Sequence, residues 1–162
     1  GMQAFERAAK LCQAAGGRAG IALSDPFCVD RHRDAFRRLV RELDYVIGNE
    51  HEWASLYQTD LDQALKLAAA DSGLVVCTRS GDEVIVIRGD ERAVIPVKKL
   101  VPVDATGAGD QFAAGFLFGL SQGRTLEISG RMGCLAAREV IGHFGARPET
   151  DLKQLFAGEG LI

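Results

Sequence analysis

The stretch from Val103 to Phe116, VDATGAGDQFAAGF, holds the residues best suited to chemistry. It places Gly107, Ala108 and Gly109 directly before an acid, Asp110, and an apolar run with helical spacing follows. Glycines let backbone N–H groups turn toward a ligand without a Cβ in the way. A helix that starts there adds unpaired N–H groups and the positive end of its dipole. The stretch therefore predicts an anion site suited to phosphate.

An acid beside such a site has a specific use in phosphoryl transfer. Asp110 could accept a proton from a substrate hydroxyl, while the N–H groups stabilise charge on the moving phosphoryl group. Helix rules alone leave an alternative equally open, in which Asp110 caps the helix and the glycines form the turn. Two other nucleotide motifs are excluded. A P-loop requires Gly-Lys-Ser/Thr after the glycines, and the dinucleotide fingerprint requires a small residue where Phe112 stands.

The elements that must position this stretch alternate along the chain. Hydrophobic spacing predicts helices at 3–15, 30–43, 50–57, 60–70, 109–121, 125–142 and 150–157. Short apolar runs predict strands at 20–25, 44–49 and 73–78, and two more within 83–97, joined at Gly89-Asp90. Asp30 and Asp60 are the expected N-caps, and Pro26 is expected in a loop. In the first helix the residues expected to face inward are Phe5, Ala8, Ala9, Leu11, Cys12 and Ala15.

This order of elements predicts an α/β fold. Helices and strands alternate in the first part, which favours a mostly parallel sheet with helices on both faces. The hairpin after the third strand would add antiparallel strands at one edge. Ligands of such sheets lie beyond the carboxyl ends of the strands. The polar strand ends SDP, GNEHE, CTRSGD and DATGAGD are therefore expected to gather on one rim.

Composition limits the classes of protein that the chain can belong to. Its 162 residues suit one domain, and 47% hydrophobic with 25% charged residues allow a buried core. The net charge of −3 gives no reason to expect nucleic acid or a membrane as partner. No apolar run approaches about 20 residues and no signal peptide is visible, so we expect a cytoplasmic protein. Gly1 before Met2 is typical of a remnant of a cleaved expression tag.

The four cysteines, Cys12, Cys28, Cys77 and Cys134, are scattered along the chain. They are expected to be reduced thiols, mostly buried, as in cytosolic proteins. No histidine or second cysteine stands at ligand spacing beside any of them, so zinc is not expected.

DATGAGDQFAAGF resembles the C-terminal signature of the ribokinase-like, or PfkB-type, carbohydrate and nucleoside kinases. The resemblance implies a Rossmann-like, ribokinase-like fold and a kinase that uses ATP and Mg²⁺. It also implies that Asp110 is the general base and that the amides of Gly107, Ala108 and Gly109 form the anion hole.

NEHE resembles the Asn-x-x-Glu motif of this family, which implies that Asn49 and Glu52 organise the magnesium ion and the phosphate waters. The alternative from the residues alone is an exposed helix start, where both residue types are common.

CTRSGDEV resembles the family's turn over the nucleotide, which implicates Thr78, Arg79, Ser80 and Gly81. It departs from the commonest form, since Glu83 stands where a second glycine is usual, and a plain turn between strands is the alternative.

Asp104 and Thr106 match positions that help to hold a monovalent cation in some members of the family, which adds K⁺ to the expected ions.

REVIGHFGARP resembles the adenosine-kinase-like branch, in which this segment borders the adenine of the nucleotide. His143 would then lie near the adenine, or else be a structural histidine. SDPFCVDRHR also resembles that branch, so that Asp25 and Arg31 either face phosphates or close the loop with a salt bridge.

The resemblance covers residues 2–162 but matches only the C-terminal half of the family. The N-terminal half, with its lid and most substrate-binding residues, is absent from the sequence. Three hypotheses follow. The chain is part of an ATP-dependent kinase, with adenosine favoured as acceptor over a ribose- or fructose-type sugar; or it binds nucleotide without catalysis; or it is a structural fragment. In the third case an apolar sheet face left by the missing half would favour self-association, so the partner is expected to be either a second copy of the chain, in a homo-oligomer, or the missing N-terminal half.

Overall fold

The structure is a computed structural model that describes residues 2–162, so the expected tag remnant at Gly1 lies outside the described residues. The chain divides into two compact units. The first runs to Ser80 and takes in Ile85–Arg92, and the second comprises Gly81–Val84 and Ala93–Ile162.

Five strands form one open sheet in the order of the sequence. They are β1 (Gly20–Ala22), β2 (Tyr45–Asn49), β3 (Val75–Thr78), β4 (Glu83–Arg88) and β5 (Glu91–Pro96). The first three are parallel, with Ile21 opposite Val46 and Val46 opposite Val75. The connections from β3 to β4 and from β4 to β5 are too short for a crossover, so these pairs are antiparallel. The sheet is mixed, as the alternation of elements and the hairpin predicted.

Five helices belong to the first unit, and side-chain caps fix where several of them begin. They are α1 (Met2–Ala14), α2 (Pro26–Arg31), α3 (Arg33–Glu42), α4 (Glu50–Tyr57) and α5 (Leu61–Asp71). The carboxylate of Asp60 accepts from the N–H of Gln63 at 2.9 Å, which confirms Asp60 as the cap of α5.

The single helix predicted over 30–43 is wrong, because two helices occupy this segment. The first begins at Pro26, whose fixed φ suits a first helical position, and Asp25 caps it by accepting from Cys28 N at 2.8 Å. Asp30 lies within α2 and pairs with Arg33 instead of capping a helix. The break falls at His32, whose φ of −124° is not helical.

The main core of the first unit combines β2 and β3 with the helices that follow them. Trp53, Leu56 and Leu65 are buried there with Val46 and Val75, and the indole N–H of Trp53 donates to the carbonyl of Val76 at 3.0 Å. Neighbouring residues of a strand point to opposite faces, and both Val75 and Val76 are fully buried. Both faces of this strand are therefore covered.

Helix α1 buries a narrower stripe than its sequence predicted. Phe5 and Ala9 pack with Leu39 and Leu43. The other residues expected to face inward are exposed: Ala8, Leu11, Cys12 and Ala15. A spacing of four residues gives one line of contact along a helix, so the wider stripe was an overestimate.

The cysteines are less buried than expected. Cys77 is buried, and burial raises the pKa of its thiol to about 12. Cys28 and Cys134 are half-buried and Cys12 is exposed. All four are free thiols, as expected from their spacing. Across residues 2–162 no helix has the length and apolar character needed to cross a membrane.

The second unit contains the last three helices, α6 (Ala108–Ser121), α7 (Leu126–Val140) and α8 (Leu152–Gly158). Helices α6 and α7 are in close contact through glycines. A Cβ built on Gly115 would lie 2.6 Å from the carbonyl oxygen of Met132, and one built on Gly119 would lie 2.7 Å from Ser129 Oγ. The small residues therefore let the two backbones approach, and this pairing fixes the position of the first turn of α6.

Candidate active site

The turn before α6 is built around Gly107. This residue is the N-cap of the helix and has a φ of +80°, a conformation that favours glycine. Its carbonyl accepts from the N–H of Gln111 at 2.9 Å, which closes the first turn. On the other side, the Asp104 carboxylate accepts from the N–H of Thr106 at 2.9 Å. The turn is thus held at both ends.

Backbone N–H groups without an acceptor line this turn. The N–H of Ala108 donates to the carbonyl of Ala105 at 3.3 Å. Within residues 2–162, no oxygen accepts from the N–H groups of Gly107, Gly109 or Asp110. Gly109 and Asp110 are exposed, and Gly107 is half-buried. Free N–H groups at the positive end of a 14-residue helix are an arrangement that binds anions.

Asp110 lies in the first turn of α6, with its side chain exposed. It is not the cap of the helix, because Gly107 occupies the N-cap position and the helix has no side-chain capping bond. The helix dipole favours a carboxylate at this position. Asp110 is thus an accessible acid in the same turn as the free N–H groups, where a carboxylate could accept a proton from a bound hydroxyl.

Asp104 connects the turn to the segment after α7. Its Oδ2 accepts from the N–H of Gly145 at 3.0 Å. A hydrogen bond from the Thr106 side chain, together with those from the N–H groups of Gly145 and Thr106, lowers the pKa of Asp104 to about 2. Asp104 therefore carries a negative charge that the N–H groups of Thr106 and Gly145, in its own unit, already stabilise.

His143 also has partners within the second unit. Its Nε2 lies 3.4 Å from Glu139 Oε2, its Nδ1 lies 3.8 Å from Glu149 Oε1, and its Nδ1 contacts the carbonyl oxygen of Phe144 at 3.3 Å. The contact with the Phe144 carbonyl and the neighbouring carboxylates raises the pKa of His143. The ring is held in place, while the side chain of Phe144 beside it is 82% exposed.

In the first unit, Asn49 and Glu52 form a capping box at the start of α4. Asn49 also lies opposite Thr78 in the parallel register of β2 and β3. Glu52 is buried, so the alternative of an exposed helix start is wrong for it. Burial raises the pKa of the Glu52 carboxyl, and the hydrogen bond from Asn49 N opposes that effect.

Residues 78–81 connect β3 to β4 through a tight turn. Ser80 and Gly81 have positive φ values of 25° and 93°, and Arg79 Nε lies 3.4 Å from Glu50 Oε2. Glu83 is already the first residue of β4. The chain therefore returns to the sheet at the position where the family usually has a second glycine.

The donors present fit a magnesium ion bound through water. No group of three or more His, Cys, Asp or Glu side chains in the described part of the chain could hold a metal ion directly. Each oxygen of the Glu52 carboxylate accepts one hydrogen bond from Asn49 and keeps a further lone pair. Magnesium is commonly bound through waters, substrate phosphates and one or two carboxylates, a role that this pair can support.

Four residues join these groups that the sequence did not single out. Glu50 pairs with Arg79, and Glu139 pairs with His143. The side-chain amide of Gln111 donates to the carbonyl of Ala146 at 3.3 Å. Only the Glu139–His143 pair had a detectable signal, since an acid near the end of the predicted helix and a histidine just after it are close in sequence. Gln111 and Ala146 are distant in sequence and had none.

The fold and the turn define a class: an α/β protein in which a helix start with free N–H groups lies beside an accessible acid. The chain belongs to the pfkB family of carbohydrate kinases, whose sequence profile matches residues 2–152. It is 39% identical to the cytidine kinase of Thermococcus kodakarensis over 119 residues, which are 71% of this chain and 43% of that enzyme. The resemblance stated from the motifs is thereby confirmed.

Solved structures agree with this family. A crystal structure described as a probable sugar kinase from Rhizobium etli is 42% identical, with a TM-score of 0.94, and covers 98% of this chain and 49% of that one. The adenosine kinase of Sinorhizobium meliloti is 42% identical, with a TM-score of 0.93, over 96% of this chain and 49% of that one. The chain therefore spans about half the length of the relatives it matches.

Proposed function

We propose that this chain carries the phosphoryl-transfer centre of an ATP-dependent kinase whose acceptor is a hydroxyl group of a nucleoside. One observation supports the proposal above all others. Asp110 is an accessible acid in the first turn of a helix whose Gly107, Gly109 and Asp110 N–H groups have no acceptor among residues 2–162. An anion site and a base within the same turn suit a reaction in which an alcohol attacks a phosphoryl group.

Asp110 acts as the general base. Its carboxylate accepts the proton of the acceptor hydroxyl, whose oxygen forms the new bond to the γ-phosphorus of ATP. The bond from the γ-phosphorus to the β–γ bridging oxygen breaks, and ADP leaves with the electron pair. The amides of Gly107, Ala108 and Gly109 donate to the phosphoryl oxygens, whose charge they stabilise. The Ala108 N–H must give up its 3.3 Å contact with Ala105 to do so.

The remaining residues have supporting roles in this proposal. Asn49 and Glu52 orient the waters of a magnesium ion, which neutralises charge on the phosphates when it is bound. Thr78, Arg79, Ser80 and Gly81 lie along the nucleotide.

His143 borders the adenine in this proposal. Asp104 and Thr106 are the candidates for a monovalent cation such as K⁺. Asp104 already accepts hydrogen bonds from Thr106 and Gly145. A cation would therefore share its carboxylate with these donors.

A nucleoside is the favoured acceptor because relatives named cytidine kinase and adenosine kinase match this chain at 39% and 42% identity. Adenosine is preferred among nucleosides on the resemblance of residues 138–148 to the adenosine-kinase-like branch. A sugar acceptor is the alternative, supported by the match to a chain described as a sugar kinase.

A second candidate is nucleotide binding without catalysis. The observation that favours it is length, since the chain covers 43% and 49% of the relatives it matches. The two candidate functions can be distinguished by the release of ADP. Only catalysis releases ADP in amounts that depend on both an acceptor and Asp110.

The test combines calorimetry and turnover on the 162-residue chain. Titration with MgATP should give a one-site isotherm, and adenosine, cytidine, ribose and fructose should be compared as acceptors by ADP release. Asp110→Asn should keep the affinity for MgATP within about twofold, because it retains the backbone N–H groups. The loss of a catalytic base typically costs about 10²–10⁴-fold in turnover.

Two results would contradict the proposal. An Asp110→Asn variant with near-normal turnover would exclude Asp110 as the base. A chain that binds MgATP and releases no ADP with any of the four acceptors would favour the binding-only alternative.

A further inference from the structure

We propose that Glu139 is a positioning residue for the anion-binding turn, acting through the segment 142–150, which we call the covering loop. This inference rests on the proposed function of that turn and adds a residue that does not touch the substrate. It follows from a continuous set of contacts within the second unit, from Glu139 to the covering loop and from the covering loop to Gly107.

Glu139 holds both ends of the covering loop. Its Oε1 accepts from the N–H groups of Glu149 and Thr150 at 2.9 and 2.8 Å. Its Oε2 lies 3.4 Å from His143 Nε2 at the other end of the loop. The side chain is only 9% exposed. Burial raises the pKa of its carboxyl, but the hydrogen bonds from Thr150, Glu149 and His143 together outweigh burial, and the net shift is downward.

The middle of the covering loop lies against the turn at three points. The N–H of Gly145 donates to Asp104 before the turn, at 3.0 Å. The carbonyl of Ala146 accepts from Gln111 after the turn, at 3.3 Å. Between them, a Cβ built on Gly107 would lie 2.6 Å from the Cβ of Ala146. Ala146 therefore packs directly on the glycine that sets the direction of the free N–H groups.

The physical argument for a positioning role is one of preorganisation. Gly107 has a φ of +80° and no side chain, so few local contacts restrict its backbone. Donors that stabilise a charged group must be held close to their working geometry before the ligand arrives. The covering loop supplies that restriction from outside the turn, and a loop of this length needs its ends fixed to do so. Glu139 fixes them.

The first test uses the ¹⁵N-labelled chain and three variants. Glu139→Ala removes every contact. Glu139→Gln keeps one oxygen that can accept from both Glu149 and Thr150, and so serves as the conservative rescue. Glu127→Gln, an exposed acid on the same helix, is the matched control for charge.

Amide exchange and chemical shifts report on the coupling without any ligand. In Glu139→Ala the amides of Gly145, Glu149 and Thr150 should exchange at least about tenfold faster, as expected for a segment that opens locally. The resonances of Gly107, Ala108 and Gly109 should move, while protection in the interior of α6 and α7 stays. Glu139→Gln should restore most of the wild-type pattern, and Glu127→Gln should leave it intact. A freed covering loop with unmoved turn resonances would overturn the proposal.

Binding of inorganic tripolyphosphate then tests the consequence. Glu139→Ala should raise the Kd for tripolyphosphate by about tenfold, which is the effect expected when a set of charge-assisted hydrogen bonds is displaced. If the wild-type chain binds no tripolyphosphate, the proposed function fails, while the resonances of the turn still decide the coupling.

A second variant covers the case in which Glu139→Ala does not fold. Ala146→Gly keeps the anchors of the covering loop and removes the methyl group that faces Gly107. The turn resonances should move while Glu149 and Thr150 stay protected, and tripolyphosphate should bind more weakly. Unchanged turn resonances in this variant would overturn the proposal.

Discussion

Asn49 and Glu52 hold each other at the start of helix α4. The Glu52 carboxylate accepts from the backbone N–H and the side-chain amide of Asn49, both at 2.7 Å, and Asn49 Oδ1 accepts from the N–H of Glu52 at 2.9 Å. A capping box normally lies at the surface, but here the glutamate is buried. A buried carboxylate is costly for stability, and a functional role would explain its presence.

The first prediction concerns the pH dependence of stability at Glu52. Burial raises its pKa above the ordinary value of 4.5. The folded state therefore binds the proton more tightly than the unfolded state, and Glu52 stabilises the fold at low pH and less so as pH rises past 4.5. Glu52→Gln removes this dependence. In urea denaturation between pH 4 and pH 8, the free energy of unfolding of the variant relative to that of the wild type should increase as pH rises.

The same variant separates stability from magnesium chemistry. Glu52→Gln should weaken the magnesium-dependent part of ATP binding by about tenfold, because an amide does not orient magnesium waters as a carboxylate does. Binding of ATP without magnesium should stay the same. Asp62→Asn, at an exposed acid in the first turn of α5, is the matched control. Equal magnesium dependence in both variants and the wild type would remove Glu52 from the metal site.

The second prediction concerns Asp104 and the N–H of Gly145. The pKa of Asp104 is lowered to about 2 by hydrogen bonds from the Thr106 side chain and from the N–H groups of Gly145 and Thr106. A lowered pKa means that the contact contributes above the ordinary value of 3.8 and is lost as pH falls toward 2. The amide of Gly145 should therefore keep its chemical shift down to about pH 4 and move below it. Asp104→Asn should show no such titration, and a wild-type midpoint near 3.8 would contradict the contact.

The third prediction concerns the contact of α6 with α7. A methyl group on Gly115 would lie 2.6 Å from Met132 O and 3.0 Å from Gly133 Cα, which are backbone atoms that cannot move aside alone. Gly115→Ala should destabilise the chain by about 1–3 kcal/mol in urea denaturation, as overpacking does. Gly158→Ala, also helical but with nothing within 4 Å of its Cβ, is the control and should be neutral or slightly stabilising. Equal midpoints for both variants would contradict the packing.

Much of the fold was predictable because local signals and tertiary contacts agree. Asp60 caps α5 as predicted, and the Gly89-Asp90 pair joins β4 to β5. The prediction of a loop at Pro26 was wrong, because proline breaks helices in their interior but is favoured at the first helical position, where Pro26 lies. The prediction that Leu11 faces inward was also wrong, since this apolar side chain is 63% exposed.

The candidate site was predictable where it depends on one continuous motif and unpredictable where it depends on distant contacts. The free N–H groups near Asp110 follow from two glycines and a helix start, all within six residues. The contact of Ala146 with Gly107 joins positions 39 residues apart, and no local sequence pattern predicts it. The burial of Glu52 likewise depends on the packing around β2, since its sequence neighbours are those of an ordinary exposed cap.

The last prediction contrasts two glycines of the same motif. Gly107 has a φ of +80° and lies against Ala146, so Gly107→Ala adds both backbone strain and a collision. Left-handed backbone alone costs an alanine about 1–2 kcal/mol, and urea denaturation should show at least that loss. Gly109 is a helical residue without a positive φ, and its added Cβ meets nothing within 4 Å. Gly109→Ala should therefore stabilise the chain by up to about 1 kcal/mol.

Although Gly109→Ala should stabilise the fold, it should weaken the binding of phosphate groups. The open space at Gly109 is where a phosphoryl group would approach the free N–H groups, so the methyl group of Gly109→Ala should weaken tripolyphosphate binding by about tenfold or more while the fold gains stability. Gly158→Ala serves again as the control, since it adds a methyl group to a helix far along the sequence from the motif. A Gly109→Ala variant that is more stable and binds tripolyphosphate as the wild type does would show that the glycine serves the helix start alone. Loss of binding without loss of stability would show that the backbone at Gly109 is kept bare for an anion.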